Sequence, residues 1–403
     1  MRQGVGGLLL TFIIFFSTIG VAGAEPKIQG ETAILMDATT GQVLWEKNAH
    51  KQMYPASTTK IMTTLLVLEL GNLDEIVVTS RNARNQIGSR IYLDEGEKIL
   101  VRDLLYGLML SSGNDAAVVA AEYISGSVEE FAELMNKRAV ALGALNTNFV
   151  NPNGLHHDDH YSTAYDLAVI SRHALTIPEF REIVQTPSAN IPWPTEEWDR
   201  RLENGNRLLT RYQGGNGIKT GYTSKAQGTF VGSANRDGFE LIAVTLSAGG
   251  SGQIFDDAAA ILNYGYDNFE KKLIVASEQP ITLAPVRYGD RVQVLNLGDV
   301  YHTGPKDNSL DIYIAPVLKD LEAPVKSGVL AGYLEVSVNG ELVGTVPLVT
   351  THTVERKITT YWWFYAGVLI AVYLPLRIGV HLRRRRKKNR YMKRKRYYEQ
   401  SFY

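Results

Sequence analysis

Three short segments of the chain hold side chains that could together form a nucleophilic active site. They are Ser57-Thr58-Thr59-Lys60, Ser112-Gly113-Asn114 and Lys219-Thr220-Gly221. A serine hydroxyl is a poor nucleophile unless a neighbouring base takes its proton in the transition state. Residues three apart on a helix share a face, so Lys60 can place its amine beside the Ser57 hydroxyl. This pattern predicts acyl transfer through a serine ester.

Lys60 can serve as the base only if its positive charge is suppressed. Burial and a nearby second cation both lower the pKa of a lysine. Lys219 is the natural second cation if its strand lies beside the helix of Lys60. In the second segment, Ser112 could relay a proton to the leaving group, and Asn114 could hold both the Lys60 amine and an amide of the substrate. We therefore expect these side chains in one cleft.

The third segment has the properties of a substrate clamp. The edge of a strand can pair with an extended peptide, and a glycine such as Gly221 allows the ligand backbone to approach. Thr220 could donate a hydrogen bond to a substrate carboxylate, and the helix N-terminus at Ser57 offers backbone N–H groups to an oxyanion. Each segment alone is a weak signal. Specificity lies in their order and in the intervals of 55 residues (57 to 112) and 107 residues (112 to 219).

The elements that must position these segments follow from apolar periodicity and turn residues. The predicted helices cover residues 57–70, 101–110, 115–124 and 255–268, and the predicted strands cover residues 32–36, 43–46, 229–234 and 241–246. The order of strand hairpin, helices, strands and final helix describes an antiparallel sheet covered by helices, an α+β arrangement rather than a repeated βαβ unit.

The length of 403 residues predicts two folded domains with appendages. We expect a signal peptide at 1–24, a catalytic domain at 25–270, a small all-β domain at 271–356, a transmembrane anchor at 357–380 and a basic cytoplasmic tail at 381–403. The signal peptide is predicted from an apolar stretch that ends in Ala22-Gly23-Ala24, and an uncleaved anchor helix is the alternative. An Asn339-Gly340 pair predicts a hairpin in the β domain.

The C-terminal region has the composition of a membrane anchor. Residues 361–376 carry no charge and begin with the aromatic residues Trp362, Trp363 and Tyr365. Residues 377–403 then hold 12 Lys and Arg against one acidic residue, Glu399. By the positive-inside rule, this tail lies in the cytoplasm and the catalytic domain outside. The alternative is a basic amphipathic helix that lies on the membrane surface.

Charge and cysteine content exclude several classes of function. Removing the tail charges and Arg2 from the totals of 42 basic and 42 acidic residues leaves 29 and 41, so the exported part is acidic. That balance argues against a nucleic-acid partner, and the basic tail suits anionic inner-leaflet lipid. The chain has no Cys, which excludes disulfides, thiol catalysis and thiolate metal sites.

Longer stretches around the motifs give the chain a family resemblance. It resembles the low-molecular-mass penicillin-binding proteins that are serine-type D-alanyl-D-alanine carboxypeptidases, the peptidase S11 family, over roughly residues 27–270. The matching stretches are Pro55-Ala56-Ser57-Thr58-Thr59-Lys60-Ile61-Met62-Thr63, Leu110-Ser111-Ser112-Gly113-Asn114-Asp115-Ala116-Ala117, Asn151-Pro152-Asn153-Gly154-Leu155, His160-Tyr161-Ser162-Thr163-Ala164-Tyr165-Asp166 and Gly217-Ile218-Lys219-Thr220-Gly221-Tyr222-Thr223.

The resemblance implies a penicillin-recognising, β-lactamase-like transpeptidase fold and a role in cell wall biogenesis. The penultimate D-Ala of a peptidoglycan stem peptide would acylate Ser57, the last D-Ala would leave, and water would hydrolyse the acyl-enzyme. β-Lactam antibiotics would acylate the same serine, and no cofactor or metal is implied. The implied catalytic residues are Ser57, Lys60, Ser112 and Asn114, and the implied substrate-binding residues are Lys219, Thr220 and Gly221.

One departure from the family pattern affects substrate recognition. Family members often carry an Arg before a Phe-x-Asp-Ala stretch, where it helps to bind the terminal carboxylate. Here Gln253-Ile254-Phe255-Asp256-Asp257-Ala258 has none. Carboxylate recognition is then expected to rest more heavily on Thr220 and Lys219.

Three alternatives stay open at this stage. A class A β-lactamase needs a glutamate that activates the deacylating water; the expected interval holds residues 147–149 without one, and the nearer Glu133 lies in an apolar helical pattern. The run His156-His157-Asp158-Asp159-His160 could bind a metal, although a solvated loop at the rim of the cleft is favoured because adjacent loop residues rarely converge on one ion. The third alternative is a sensor or scaffold that binds stem peptides without turnover.

Overall fold

The computed structural model describes residues 24–250, 252–306 and 309–400. The predicted signal peptide at 1–24 therefore lies outside the described residues except for Ala24. The chain divides into two compact units. The first holds the described residues up to Lys272 together with 303–306, and the second holds the described residues of 273–302 and from Ser309 onward.

The first unit combines short and long strands with helices. Its strands are β1 Thr32–Asp37, β2 Val43–Lys47, β3 Ile76–Val78, β4 Lys98–Leu100, β5 Ser188–Ile191, β6 Arg200–Glu203, β7 Gly215–Thr223, β8 Gln227–Arg236 and β9 Phe239–Leu246. Its helices are α1 Lys60–Leu70, α2 Arg81–Arg84, α3 Val101–Met109, α4 Asn114–Ser125, α5 Val128–Leu142, α6 Ala164–Ala174, α7 Pro178–Gln185, α8 Leu208–Arg211 and α9 Gln253–Asn268.

The main sheet of this unit has the strand order β2-β1-β9-β8-β7. Each neighbouring pair is antiparallel, so the predicted antiparallel sheet is confirmed. Strand β1 is buried along its whole length, and its side chains alternate between two cores, with Ile34 and Met36 in one and Ala33 and Leu35 in the other. The period-2 alternation of a strand explains this division.

Helices cover both faces of the sheet. Helix α9 packs Ile261 and Leu262 into the core that contains Leu35. The opposite core is larger and receives side chains from α1, α3, α4, α5 and α6. Every residue of helix α1 from Lys60 to Val67 is buried. Burial on all sides is typical of a helix that is surrounded by other elements. The serine and lysine of the first motif are thus carried into the centre of the unit.

Several element boundaries differ from the sequence predictions. Ser57 lies in a 3₁₀ turn, Ala56–Thr59, and the α-helix begins only at Lys60. The Lys219 motif lies in the middle of strand β7, which begins at Gly215 and was not among the strands given predicted bounds. The prediction did not include β5, β6 or α7. These short elements lack a long apolar period, which is the signal the prediction used.

The second unit is strand-rich, as predicted. The strands from residue 269 onward are β10 Phe269–Val275, β11 Pro280–Ala284, β12 Val286–Arg287, β13 Val292–Asn296, β14 Val300–Pro305, β15 Ile312–Leu318, β16 Leu321–Glu322, β17 Leu330–Val338 and β18 Glu341–Thr350. Residues 269–272 of β10 and 303–305 of β14 belong to the first unit. One sheet has the order β11-β13-β18-β17-β15 around a core that includes Val294, Leu334 and Leu348. The Asn339-Gly340 pair joins β17 to β18 with positive φ at both residues, as the predicted hairpin requires.

Beyond the β strands lies one long helix, α10 Trp362–Gln400. Within the described residues, Trp362–Tyr397 is the segment long and apolar enough to cross a membrane. The predicted anchor and the basic segment that follows it are parts of a single helix. Lys and Arg are good helix formers, so the helix continues after the apolar residues end.

Candidate active site

The 3₁₀ turn Ala56–Thr59, the serine turn, is held in place from two sides. The Pro55 carbonyl accepts hydrogen bonds from the hydroxyls of Thr58, at 2.7 Å, and Thr229, at 2.9 Å. Gly221 on β7 lies so close that a Cβ at this position would be 2.8 Å from the Ser57 nitrogen. Only a glycine allows the strand to approach the serine turn this closely. The contact between the first and third motifs therefore depends on the absence of a side chain.

Lys60 is fully buried, and its amine makes three short contacts. Its Nζ lies 3.1 Å from Ser57 Oγ, 2.7 Å from Asn114 Oδ1 and 2.7 Å from the Asn153 carbonyl oxygen. Two of these partners, the amide oxygen and the carbonyl, can only accept hydrogen bonds. A neutral amine can donate to both of them and still has its lone pair. Among the three partners, the Ser57 hydroxyl is the one that can donate a proton to that lone pair.

The surroundings favour the neutral form of Lys60. Burial lowers the pKa of Lys60 well below its ordinary value, and the charge of Lys219 lowers it further, whereas Asp115 opposes both effects. Lys219 is itself buried, and desolvation lowers its pKa to about 7. The positive charge of Lys219 therefore adds to burial in disfavouring the ammonium form of Lys60. Burial and the neighbouring cation, the two conditions predicted from the sequence for a neutral Lys60, are both present.

The turn between α3 and α4 carries Ser112 and Asn114. The Ser112 hydroxyl is buried and has no hydrogen-bond partner among the described residues, and the residue has a φ of 60°. Asn114 is the first residue of α4 and binds Lys60 through Oδ1. Its Nδ2 donates to the Ile87 carbonyl at 2.6 Å, so one of its two amide N–H groups is already engaged and the other is left for the substrate amide predicted there.

The loop of residues 151–154 supplies the carbonyl that holds Lys60. Asn151 Oδ1 accepts the N–H of Gly154 at 2.7 Å, and the Thr63 hydroxyl of α1 donates to the Pro152 carbonyl at 2.6 Å. Gly154 has a φ of +83°, and a Cβ there would be 1.8 Å from the Ala56 carbonyl oxygen. Glycine is required by both the conformation and the space. The loop is thereby fixed against the serine turn.

A cleft of about 340 Å³ opens onto these groups. Its lining includes Ser57, Ser112, Thr220 and Gly221, so it joins all three motifs. Lys60 and Lys219 lie buried behind it. The lining also includes Ser89, Gly205, Arg207, Tyr222, Ile254 and Phe255. The segment in which the family pattern would have an Arg thus forms part of the cleft wall.

His160 holds the serine turn through a hydrogen bond to Thr59. Its Nδ1 accepts the N–H of Val150 at 3.0 Å, so the proton of the neutral ring lies on Nε2 and is donated to Thr59 Oγ1 at 2.8 Å. The ring is buried, and burial lowers the pKa of His160 to about 3. His160 is therefore neutral at physiological pH and fixes the residue next to Lys60.

Three residues that contact or line the candidate site were not predicted for it from the sequence. Asn153 acts through its backbone carbonyl, which no side-chain pattern indicates. His160 belongs to a stretch that carries the family resemblance and to the possible metal cluster, but neither pattern indicates that its ring is buried beneath Thr59. Arg207 stands alone between short elements. The sequence feature that could have drawn attention to Arg207 is the pair Asn204 and Asn206, because asparagines favour a turn directly before it.

The geometry also bears on two alternatives. Glu133, the nearest glutamate for a class A β-lactamase, has an exposed carboxylate 3.6 Å from Lys137 on the surface of α5. In the acidic loop, His156 pairs with Asp158 at 3.4 Å and His157 with Asp159 at 3.8 Å, as separate neighbours. Among the described residues, no group of three or more His, Cys, Asp or Glu side chains could hold a metal ion.

Comparison with known proteins establishes the family. Residues 20–250 match the profile of D-alanyl-D-alanine carboxypeptidases, peptidase S11. The chain belongs to this family. The resemblance stated from the motifs is confirmed, and residues 269–356 match the C-terminal domain of penicillin-binding protein 5.

Relatives of this carboxypeptidase family are similar over most of their length. The chain is 32% identical to D-alanyl-D-alanine carboxypeptidase DacF of Bacillus subtilis over 87% of this chain and 93% of that protein. It is 34% identical to the enzyme DacD of Salmonella typhimurium over 84% and 90% of the two chains.

Solved structures of penicillin-binding proteins share the fold. Penicillin-binding protein 5 from Haemophilus influenzae superposes with a TM-score of 0.69 at 30% identity, covering 83% of this chain and all of that one (100%). The Streptomyces K15 DD-transpeptidase superposes with a TM-score of 0.58 at 33% identity, covering 61% of this chain and 100% of that one. The predicted penicillin-recognising fold is confirmed.

We predict that His160 makes the stability of the first unit depend on pH. A histidine in the unfolded chain has a pKa near 6.5, whereas the pKa of folded His160 is about 3. Between these values only the unfolded chain binds the proton, so stability is full above about pH 6.5 and is lost as the pH falls. His160→Gln keeps a donor and an acceptor but cannot titrate. It should flatten the decline by up to about 1.4 kcal/mol per pH unit.

The measurement is the unfolding free energy of wild type and variant between about pH 4 and about pH 6.5. His50→Gln, at an exposed position, is the matched control and should follow the wild-type curve. Parallel curves for wild type and His160→Gln would show that His160 does not carry this dependence.

Proposed function

We propose that this chain is a serine-type D-alanyl-D-alanine carboxypeptidase that removes the terminal D-Ala from peptidoglycan stem peptides. Family membership supports the reaction and the substrate class. The observation that carries the chemistry is the position of the Lys60 amine, 3.1 Å from Ser57 Oγ, with its two other partners restricted to accepting hydrogen bonds. In this role Lys60 is the general base and Ser57 is the nucleophile.

Acylation proceeds in balanced steps. Ser57 Oγ attacks the carbonyl carbon of the penultimate D-Ala as its proton passes to Lys60 Nζ. The oxyanion that forms needs N–H donors. We assign this role to the backbone N–H of Ser57, which lies in the first turn of the helical segment where N–H groups favour an anion. When the C–N bond breaks, Ser112 passes a proton to the leaving amine, and Lys60 returns its proton to Ser112. D-Ala then leaves, and the peptide remains as an ester on Ser57.

Deacylation reverses the direction of proton transfer. Lys60 takes a proton from a water molecule as the water oxygen attacks the ester carbon. The proton then goes to Ser57 Oγ as the ester bond breaks, which releases a peptide ending in D-Ala and restores the serine. A β-lactam ring is opened by the same attack, so penicillins acylate Ser57.

The remaining motif residues bind and orient. Asn114 holds the Lys60 amine through Oδ1. β7 is an outer strand of the sheet, so an extended stem peptide can pair with its free edge near Gly221. Thr220 and Lys219 face the substrate carboxylate in this proposal. The lowered pKa of Lys219 also means that its positive charge is lost as the pH rises through about 7.

We also propose that the enzyme acts on the outer face of the bacterial cell membrane, in cell wall biogenesis. The apolar part of α10 spans the bilayer, and the basic residues that follow it stay in the cytoplasm beside anionic lipid. Trp362 and Trp363 begin the helix, where aromatic side chains favour the membrane interface.

A labelling experiment tests the nucleophile and the reaction together. A fluorescent penicillin should label the wild-type chain covalently, and Ser57→Ala should abolish the label. The wild type should also release D-Ala from a diacyl-D-Ala-D-Ala peptide. Ser111→Ala, one residue before the second motif, is the matched control and should still be labelled. Labelling without D-Ala release would instead support a sensor, and an unlabelled wild type would refute the proposal.

A second prediction tests whether Lys60 acts as a base rather than as a cation. Lys60→Arg keeps a positive charge, but a guanidinium does not lose its proton at neutral pH. Acylation by penicillin should slow by about 100-fold or more, the range expected for removal of a general base. Lys225→Arg, at an exposed position after β7, should acylate at the wild-type rate. A Lys60→Arg rate within a few-fold of wild type would mean that another group removes the serine proton.

A third prediction concerns the membrane anchor. Truncation before Tyr361 should give a protein that stays in the supernatant after ultracentrifugation and retains D-Ala release. The full chain should stay with the membranes after an alkaline carbonate wash, because a spanning helix is not removed by conditions that strip surface-bound proteins. Release of the full chain by the wash would favour a helix lying on the surface.

A further inference from the structure

The following inference rests on the proposed function, because it concerns how that reaction selects its substrate. A carboxypeptidase must recognise a free carboxylate next to the bond that it breaks. The two lysines of the site are poor permanent partners for this anion. Lys60 is held by Ser57, Asn114 and Asn153. Lys219 is buried, and its pKa of about 7 leaves it only partly charged at neutral pH.

The segment expected from the family pattern to supply an Arg offers no cation. Ile254 and Phe255 present apolar side chains to the cleft. The amide of Gln253 donates to Asp257 Oδ1 at 2.9 Å. This wall of the cleft can contact the methyl group of an alanine, but it cannot neutralise a carboxylate.

Arg207 supplies a cation to the same cleft from a different element. It lies immediately before α8, is exposed, and is the one Lys or Arg among the described residues that line the cleft. Its guanidinium forms no hydrogen bond or ion pair with any residue in the described part of the chain. Arginine side chains remain charged throughout the physiological pH range, and their planar donors match both oxygens of a carboxylate.

Side-chain hydrogen bonds hold the turn that carries Arg207 in a defined conformation. Asn204 Nδ2 donates to the Thr186 carbonyl at 2.9 Å, and Asn204 Oδ1 accepts the N–H of Asn206 at 2.9 Å. Asn206 Oδ1 in turn accepts the N–H of Leu208 at 3.0 Å. These successive hydrogen bonds fix the backbone on both sides of Arg207. The position of Arg207 at the cleft is therefore set by the fold and not by a loose loop.

The same turn lies against the residue assigned to the carboxylate. A Cβ at Gly205 would be 3.4 Å from Thr220 Oγ1, and the Gly205 N–H donates to the Leu110 carbonyl at 3.3 Å. Thr220 and Arg207 thus lie on adjoining parts of one wall. A carboxylate that accepts a hydrogen bond from the Thr220 hydroxyl would have its second oxygen free for a neighbouring donor.

We propose that the Arg207 guanidinium pairs with the terminal carboxylate of the substrate beside Thr220, and so takes the place of the arginine missing before Phe255. Arg207 is then a substrate-binding residue that makes the enzyme specific for peptides with a free C-terminus. It has no part in proton transfer. The carboxylate of penicillins would occupy the same position.

The experiment uses the full chain in detergent with Arg207→Gln, Arg207→Lys and the control Arg211→Gln, an exposed arginine of α8 outside the cleft lining. D-Ala release from a diacyl-D-Ala-D-Ala peptide gives kcat and KM. Acylation rates with a penicillin and with its uncharged methyl ester, measured by competition with fluorescent penicillin, report carboxylate recognition separately. We expect Arg207→Gln to lower kcat/KM by roughly 10- to 100-fold, mainly through KM, as for a lost charge-assisted hydrogen bond.

The comparison of charged and uncharged ligands decides the outcome. Arg207→Gln should slow acylation by the penicillin and leave acylation by its methyl ester unchanged, with partial recovery in Arg207→Lys. If Arg207→Gln behaves like Arg211→Gln, or if both ligands slow equally, the inference is wrong. If the wild type binds penicillin but releases no D-Ala, the proposed function fails, and the penicillin and ester pair still tests Arg207.

Discussion

The candidate active site depends on one buried amine. Lys60 Nζ lies among Ser57 Oγ, Asn114 Oδ1 and the Asn153 carbonyl, with no water-exposed surface on the residue. Three acceptors satisfy the three N–H donors of an ammonium group, so the charged form is tolerated between reactions. Once the proton is lost, the two acceptor-only partners hold the amine in place and direct its lone pair at the serine. The same contacts therefore serve both protonation states.

The fold brings these partners together because glycines stand at the two positions where backbones come into close contact. Gly221 lets β7 approach the nitrogen of Ser57, and Gly154 lets the loop that carries Asn153 approach the carbonyl of Ala56. The serine turn is thus enclosed by a strand and a loop that are far apart in sequence. Packing of α1 between the sheet and the other helices fixes the third direction. A side chain at either glycine would separate groups that must stay within about 3 Å of each other to form hydrogen bonds.

The sequence predicted much of this arrangement but not its details. Helical spacing was enough to pair Ser57 with Lys60, and strand and helix patterns were enough for an antiparallel sheet covered by helices. The backbone contact from Asn153 could not be predicted, because any residue has a carbonyl. The neutral, buried state of His160 was hidden in a run of polar residues, since burial depends on neighbours that are distant in sequence. The cleft position of Arg207 depends on a turn built from asparagine side chains, which gives no periodic signal.

A buried lysine near a carboxylate would ordinarily be expected to form a salt bridge and stay charged. Asp115 follows Asn114 directly and does raise the pKa of Lys60, but its effect is smaller than those of burial and Lys219. The carboxylate of Asp115 is engaged by backbone donors instead. Its oxygens accept the backbone N–H groups of Ile91, at 3.1 Å, Leu93, at 3.1 Å, and Ala116, at 2.9 Å. These hydrogen bonds hold residues 91–93 against the start of α4, so the carboxylate stabilises the loop beside the cleft, and Lys60 keeps the lowered pKa that the proposed base requires.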